Sequence, residues 1–330
     1  MSIVSSSNYV TPPEAGGYDI IGDVHGCANT LMLLLDKLGY QHDGQCYKHA
    51  SRIAIFVGDV VDRGPHIREA LHLVKDMMDA GAAVCVMGNH EYNAIGYTTP
   101  APEGSGQKHL RPHTPRHNRL IAETLEQFAG FPEEWRMFLE WFKTLPLFLE
   151  LPKFRVVHAC WDRGLIEHYK ERYDTNLVNM DLLQQTVDVG SFGWQVMDRL
   201  TRGTDISLPA GVTITSKDGF KRKAFRTKFW ASNPKTYRDV VFQPDPLPQE
   251  LADSNLTESE RTQLLSYDAQ QLPVFVGHYW LQGSPRRLRP NVACLDYSAV
   301  KFGRLVAYRF DGEAVLNDEK FVWVYVDPEG

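Results

Sequence analysis

Four times along this chain a short apolar run ends in a glycine followed by a residue able to bind a cation. IIGD ends on Asp23, FVGD on Asp59, VMGN on Asn89 and FVGH on His278, while a fifth run, RVVHA, presents His158 without the glycine. Runs this short and β-prone read as buried strands. In open α/β sheets, ligand crevices form outside the carboxyl ends of the strands. A glycine before each polar residue permits the tight turn and close backbone approach that such a crevice needs. The pattern predicts that loops distant in sequence aim polar side chains at one place.

The segments between the runs give the order of elements. Tyr18 to Gly22 reads as a strand, and Thr30 to Leu38 places Leu31, Leu34, Leu35 and Leu38 on one helical stripe. Ile53 to Val57 is a second buried strand, His66 to Asp79 an amphipathic helix and Ala82 to Met87 a third strand. This β-α-β-α-β order predicts parallel strands joined by right-handed crossovers. Residues 97–119 are polar and carry Pro100, Pro102, Pro112 and Pro115, which predicts a surface insertion without regular structure. Helices are expected at Leu120 to Phe128 and Glu133 to Thr144, and LFLELPKFRVVHA reads as two strands turned at Pro152 and Lys153.

Residues 162–271 carry the weakest signal and are expected to form a variable cap or insert. Within them Val212 to Trp230 suggests a hairpin turned at Asp218 and Gly219, and Pro244 to Arg261 a solvated loop or short helix. Strands return at Pro273 to Gly277, Asn291 to Leu295, Arg304 to Phe310 and Phe321 to Val326. The chain is thus α/β at the front and β-rich at the back, and residues 1–330 are expected to form a single domain.

Composition excludes several function classes. With 43% hydrophobic and 23% charged residues the chain can bury a sizeable core, and its net charge of −6 argues against a nucleic-acid polymer as partner. The amino terminus lacks a basic stretch leading into an apolar one, and no apolar run approaches the roughly 18 residues of a membrane span, so the expectation is a cytoplasmic protein with no membrane partner. Five cysteines without a C-x-x-C pair suggest neither a disulfide framework nor a thiolate zinc site. None sits in a phosphate-cradling C-x5-R loop.

Three motifs carry the chemistry. GDVHG supplies Asp23 and His25, two residues apart and so on one side of an extended segment. GDVVDRGP supplies Asp59, Asp62 and Arg63, and GNHE supplies Asn89, His90 and Glu91. Each alone is a common turn or an ordinary histidine. Together they would bury carboxylates, imidazoles and an amide at several kcal/mol each if unpaired, a cost that bound metal removes. Oxygen and imidazole donors without thiolate suit Mn, Fe, Zn, Co or Ni.

These motifs, with the later isolated histidines, resemble the metallophosphoesterase superfamily, and GDVVDRG with GNHE is similar to its phosphoprotein phosphatase branch. The likeness is close from Asp19 to Glu91 and returns at VVHA, VGH and CLDYSAVKFGRLVAYRF. It implies an α/β fold, a metallophosphatase-like sandwich of two mixed β-sheets flanked by helices. It further implies two divalent ions, manganese first among the candidates. Asp23, His25 and Asp59 would bind one ion, and Asp59 would bridge to a second held by Asn89, His158 and His278. Hydroxide bridging the ions would attack phosphorus in line, without a protein nucleophile.

By the same resemblance His90 is the general acid, with Asp62 accepting its other N–H and favouring imidazolium, while Arg63 and Asn89 grip phosphate. A second phosphate-binding arginine is assigned to Arg226 in KRKAFRTKFW, with Arg202 and Arg238 as rivals and a solvated hairpin face carrying Arg226 and Lys228 as the plain alternative. The basic island KHLRPHTPRHNR spaces His109, His113 and His117 by four, but Pro112 and Pro115 argue against a helical metal face. It reads as an exposed loop or as a rim that attracts anions.

Two departures bear on substrate. GHYW and LDYSAV replace the strings typical of eukaryotic protein phosphatases, and no SAPNYC-like loop is present, so the likeness points to the bacterial branch related to symmetrical diadenosine tetraphosphatases. The first reading is a phosphomonoesterase, with phosphoserine and phosphothreonine proteins among its substrates. The alternative is a dinucleoside polyphosphate hydrolase using Lys221 to Lys228 for distal phosphates. A non-catalytic metal- or phosphate-binding module is disfavoured because every implied ligand and the acid are present. The expected partner in all cases is phosphorylated: a small molecule, a nucleotide or a phosphoprotein.

Overall fold

The computed structural model describes residues 9–208, 213–215, 221–222, 224–242 and 247–326. Its frame is two mixed sheets packed face to face. The larger runs in the order Asp296–Tyr297, Arg304–Phe310, Gly17–Ile21, Arg52–Phe56, Ala83–Cys85, with Phe321–Tyr325 also paired to Arg304–Phe310. Gly17–Ile21, Arg52–Phe56 and Ala83–Cys85 are parallel, as the β-α-β-α-β reading requires, while Arg304–Phe310 is antiparallel to Gly17–Ile21. The smaller sheet joins Val292–Cys294, Val274–Val276 and Arg155–Val157 in parallel, with Phe148–Glu150 antiparallel at the edge.

Strand alternation explains why both faces of the larger sheet are apolar. Ile20 and Ile55, with Phe310 of their own sheet, face the second sheet, where they share a core with Val156, Phe275 and Ala293. Their neighbours Ile21, Ala54 and Phe56 face the other way, onto the helix stripe of Leu31, Leu34, Leu35 and Leu38. Helices Ala28–Leu38 and Ile67–Asp79 form that outer layer. A small hairpin pairing Gln41–His42 with Tyr47–Lys48 interrupts the first crossover and was not expected. All five cysteines are buried and free. Among the described residues no helix is long and apolar enough to cross a membrane.

The 97–119 segment differs from the sequence expectation. Helix Asn89–Thr98 covers its start, and helix Pro115–Gln127 begins at Pro115 rather than Leu120. Proline at the first helical position forfeits no intrahelical hydrogen bond, and Thr114 caps the turn by accepting from the His117 N–H at 3.2 Å. Leu110, in the remaining irregular stretch, is buried. The insertion is therefore partly packed rather than wholly on the surface.

The expected hairpin of Val212 to Trp230 is shorter than the sequence suggested. Ile214–Thr215 pairs with Lys221–Arg222, and Asp218 and Gly219 lie outside the described residues. Ala224–Thr227 instead joins a three-stranded sheet between Thr204–Ser207 and Val241–Phe242. That sheet has its own small core of Ile206, Phe225, Tyr237, Val240, Val241 and Leu256. Further on, Gln249–Ala252 and Glu258–Gln263 are short helices, as the Pro244 to Arg261 reading allowed.

Candidate active site

The loops leaving the strand ends converge because glycines let them touch. A Cβ on Gly88 would lie 2.2 Å from Asp59 Oδ1, one on Gly277 2.0 Å from Asp23 Oδ1, and one on Gly22 2.1 Å from the Leu295 carbonyl oxygen. Several site residues themselves adopt left-handed backbone: His25 at φ 46°, Asp59 at 53°, Asp62 at 70°, Arg63 at 75° and His278 at 71°. Such conformations are costly for residues bearing a Cβ and gather where a surrounding framework enforces them. His25 therefore reaches the crevice through a turned backbone, and the extended geometry expected for Asp23 and His25 is not the reason they share it.

Asp59 is the centre of the arrangement. Its Oδ2 lies 3.3 Å from His158 Nε2, 3.6 Å from His25 Nε2 and 4.0 Å from His90 Nε2. Backbone carbonyls orient the rings: His158 Nδ1 lies 2.7 Å from Val57 O and His25 Nδ1 3.1 Å from Val61 O, so both Nε2 atoms face inward. Asn89 Oδ1 is 3.3 Å from His158 Nε2. Two buried groups able to hold a metal result, His25 with Asp59 and His90, and Asp59 with His158 and His278, and Asp59 is common to both.

Asp23 accepts the His278 N–H on Oδ2 at 3.0 Å, while its Oδ1 and the Nε2 of His278 are buried with no hydrogen-bond partner. Buried polar atoms without partners are expensive. Two such atoms, among carboxylate, amide and imidazole donors, are what divalent cations would satisfy.

Electrostatics follow from the crowding. Burial, and then the neighbouring Asp296, push Asp23 well above the usual carboxylate range. Burial alone would raise Asp59 too, but His158, His90 and His25 hold it well below that range. Burial opposes the charge on His158, yet Asp59 and Asp23 raise it to about 10. His25 is lowered by burial and by Arg63, and His278 by burial and by Arg226.

His90 Nδ1 meets Asp62 Oδ2 at 2.6 Å, and Thr124 donates its hydroxyl to the other oxygen of Asp62. Burial lifts Asp62 to about 7 and, with Arg63, depresses His90 to about 3. Burial thus works against the imidazolium expected from the sequence. Arg63 Nη1 is 3.3 Å from His25 Nε2, and its guanidinium lies 4.5 Å from the Trp280 ring centroid.

Of the candidate second arginines, Arg226 lies opposite Asp205 and Phe242 in the small sheet, within electrostatic reach of His278. Arg202 donates to Asn93 Oδ1 at 2.8 Å, and its charge also reaches His90 and His278. Arg238 pairs with Asp253 at 2.7 Å on the surface. In the basic island, the His113 ring stacks between Tyr97 and His109 with centroids 3.6 and 4.2 Å away.

Several contributors escaped the sequence reading. The Glu91 carboxylate accepts the N–H groups of Gly88, Asp59, Val60 and Val61 at 2.8 to 3.3 Å, tying two metal-site loops together. Its place in GNHE was visible but gave no hint of these partners. Asp296, buried in LDYS, accepts from Trp280 and Ser298 N–H groups and charges the back of Asp23. Arg111, beside Arg202, has a buried Nε without a partner, and burial followed by Arg202 lowers it to about 9.

A mixed-sheet sandwich with an acidic and imidazole crevice at its strand ends is the architecture of a metal-dependent phosphoesterase. The chain belongs to the calcineurin-like phosphoesterases, whose family pattern matches residues 18–196, more than half of its length. It is therefore a phosphoric ester hydrolase of a family that uses divalent metals and acts on phosphorylated substrates.

Among its relatives, the asymmetrical bis(5'-nucleosyl)-tetraphosphatase PrpE of Halalkalibacterium halodurans is 34% identical over 177 residues, 51% of this chain and 67% of that one. The same-named protein of Oceanobacillus iheyensis is 32% identical over 156 residues, covering 46% and 57%. The symmetrical bis(5'-nucleosyl)-tetraphosphatase of Vibrio vulnificus is 33% identical over 141 residues, covering 42% and 43%. The matched stretch thus spans between 43% and 67% of these relatives. A solved protein serine/threonine phosphatase from Saccharomyces cerevisiae aligns over 98% of this chain and 81% of its own at 14% identity, with a TM-score of 0.49.

Proposed function

We propose that the chain hydrolyses dinucleoside polyphosphates of the diadenosine tetraphosphate kind. The phosphomonoesterase and protein-phosphatase reading placed first from the sequence gives way to its alternative. The observation that carries this is the likeness of about half of the chain, 51% and 42% in two cases, to proteins named bis(5'-nucleosyl)-tetraphosphatases. Consistent with it, Arg63 lies against His25 and the charges of Arg202 and Arg226 reach His278, as suits a substrate with several charged phosphates.

In this reading Asp23, His25, Asp59, Asn89, His158 and His278 hold two divalent ions, Asp59 being shared. Bound there, the ions would neutralise phosphate charge and acidify a water molecule. The chain's own groups do the rest. Arg63 and Arg226 hold phosphate oxygens, and Asn89 turns its amide to the same centre. His90 presents Nε2 to the leaving oxygen while Nδ1 stays on Asp62 Oδ2, which Thr124 fixes. Glu91 keeps the Asp59 and Gly88 loops in place, so little rearrangement accompanies reaction.

Manganese is the ion and the cytoplasm the compartment that the sequence reading favours. Residues 162–271, which carry Arg202 and Arg226, act as a cap on a single domain. The test is turnover of diadenosine tetraphosphate beside a phosphoserine peptide with manganese-loaded protein, resolving products by chromatography. Release of two ADP marks symmetrical cleavage, and ATP with AMP asymmetrical cleavage. Rapid peptide dephosphorylation without tetraphosphate turnover would overturn the proposal in favour of the monoesterase.

A further inference from the structure

A cavity of about 510 Å³ opens on the Arg63 side of the crevice, and the reaction described above leaves it without a role. Its volume falls within the roughly 300–1,000 Å³ of small-molecule sites. Its lining mixes three chemistries: Arg63, which also reaches His25 Nε2 at 3.3 Å, the carboxylates of Glu123 and Glu126, and the apolar Val300, Phe302 and Val326. Trp280 adjoins Arg63, with the Arg63 guanidinium 4.5 Å and Lys301 Nζ 3.6 Å from its ring centroid.

Phe302 is the unusual member. It is 73% exposed and follows the short turn Ala299–Lys301, which has left-handed backbone at both ends, Ser298 and Phe302 each at φ 58°. An exposed aromatic side chain in strained backbone that also lines a cavity gains nothing for the core. The two glutamates are anchored to the catalytic machinery. Glu123 and Glu126 flank Thr124 on helix Pro115–Gln127, and Thr124 holds Asp62.

An occupant anionic throughout would meet two carboxylates, and a purely apolar one would waste them. A nucleoside 5'-phosphate fits the mixture: phosphate toward Arg63, the base against the aromatic and aliphatic residues, and hydroxyl or amine donors toward the glutamates. We propose that this cavity is the nucleoside subsite of the substrate, with Phe302 stacking on the base and Glu123 and Glu126 accepting from ribose hydroxyls or the exocyclic amine. The assignment rests on the dinucleoside polyphosphate reading for its physiological meaning, but its test does not.

Calorimetric titration of the manganese-loaded protein with AMP and, separately, inorganic phosphate reads the nucleoside contribution directly. AMP should bind at least tenfold more tightly than phosphate. Phe302→Ala should remove most of that difference and leave phosphate affinity unchanged, and Glu126→Gln should remove part of it. Equal binding of AMP and phosphate by the wild type, or a Phe302→Ala variant that keeps the difference or weakens both ligands alike, overturns the subsite. If AMP preference depends on Phe302 while diadenosine tetraphosphate is not hydrolysed, the subsite stands and the tetraphosphatase reading falls. If the tetraphosphate is turned over with one KM by wild type and Phe302→Ala, the reading stands and the subsite falls.

Discussion

The metal crevice and the small sheet beside it both bring charge to one place, but they hold it differently. In the crevice, backbone does the holding: glycines with no room for a methyl group, left-handed turns at Asp59 and His278, and Glu91 gathering main-chain N–H groups. Arg226 sits on a short strand of a separate three-stranded sheet with its own small core. The lesson is a division of labour. The donor atoms are set by the packing of two large sheets, whereas Arg226, the second phosphate contact of the proposed reading, sits on a sheet with a core of its own.

The comparison can be broken most decisively at its centre. Asp59→Asn should lower kcat/KM on p-nitrophenyl phosphate by about a thousandfold or more, because both candidate metal groups lose their shared carboxylate. Elemental analysis should show reduced metal content, and full activity with full metal loading would refute the shared role.

Next in size is Gly88→Ala, which sets a methyl against Asp59 Oδ1. It should cost about a hundredfold in kcat, since displacements near 1 Å have that effect. A lowered melting temperature should accompany it, and an unaltered rate would show that the crevice is not backbone-fixed.

His90→Ala should slow a phosphoserine ester by about a hundredfold or more and p-nitrophenyl phosphate far less, as expected on losing a general acid. Equal losses on both esters would remove that role.

Arg226→Ala sharpens the contrast from the other side. It should raise KM for diadenosine tetraphosphate by about tenfold, the loss of one charge-assisted contact, with metal content unchanged. A parallel loss of metal would mean that the small sheet and the crevice are one unit. Smallest of all, Arg238→Ala removes a surface ion pair with Asp253 and should alter stability by no more than about 0.5 kcal/mol in denaturant titration.

Much of the frame was readable because strand and ligand coincide in one pattern. An apolar run and a donor residue, with a glycine between them in every case but His158, mark where a strand ends and which side chain emerges there, so Asp23, Asp59, Asn89, His158 and His278 could be named and are found together. What escaped depends on partners far away in sequence. Nothing local to Glu91 tells that its carboxylate serves Val60, nor that Asp296 stands behind Asp23. The prolines after Thr98 read as disruption, yet Pro115 opens a helix once Thr114 caps it. Likewise the spacing of Asp23 and His25 suggested an extended strand, and only the fold shows His25 in a turn.

The close approach of Gly277 to Asp23 and of Gly88 to Asp59 also bears on which ion the enzyme uses. Where main chain rather than rotamers sets the spacing of donors, the site has little freedom to resize around a preferred radius. Selection then falls to ligand chemistry and to whichever divalent ions the surroundings supply. Exchanging one such ion for another should change how fast this protein works well before it changes its shape.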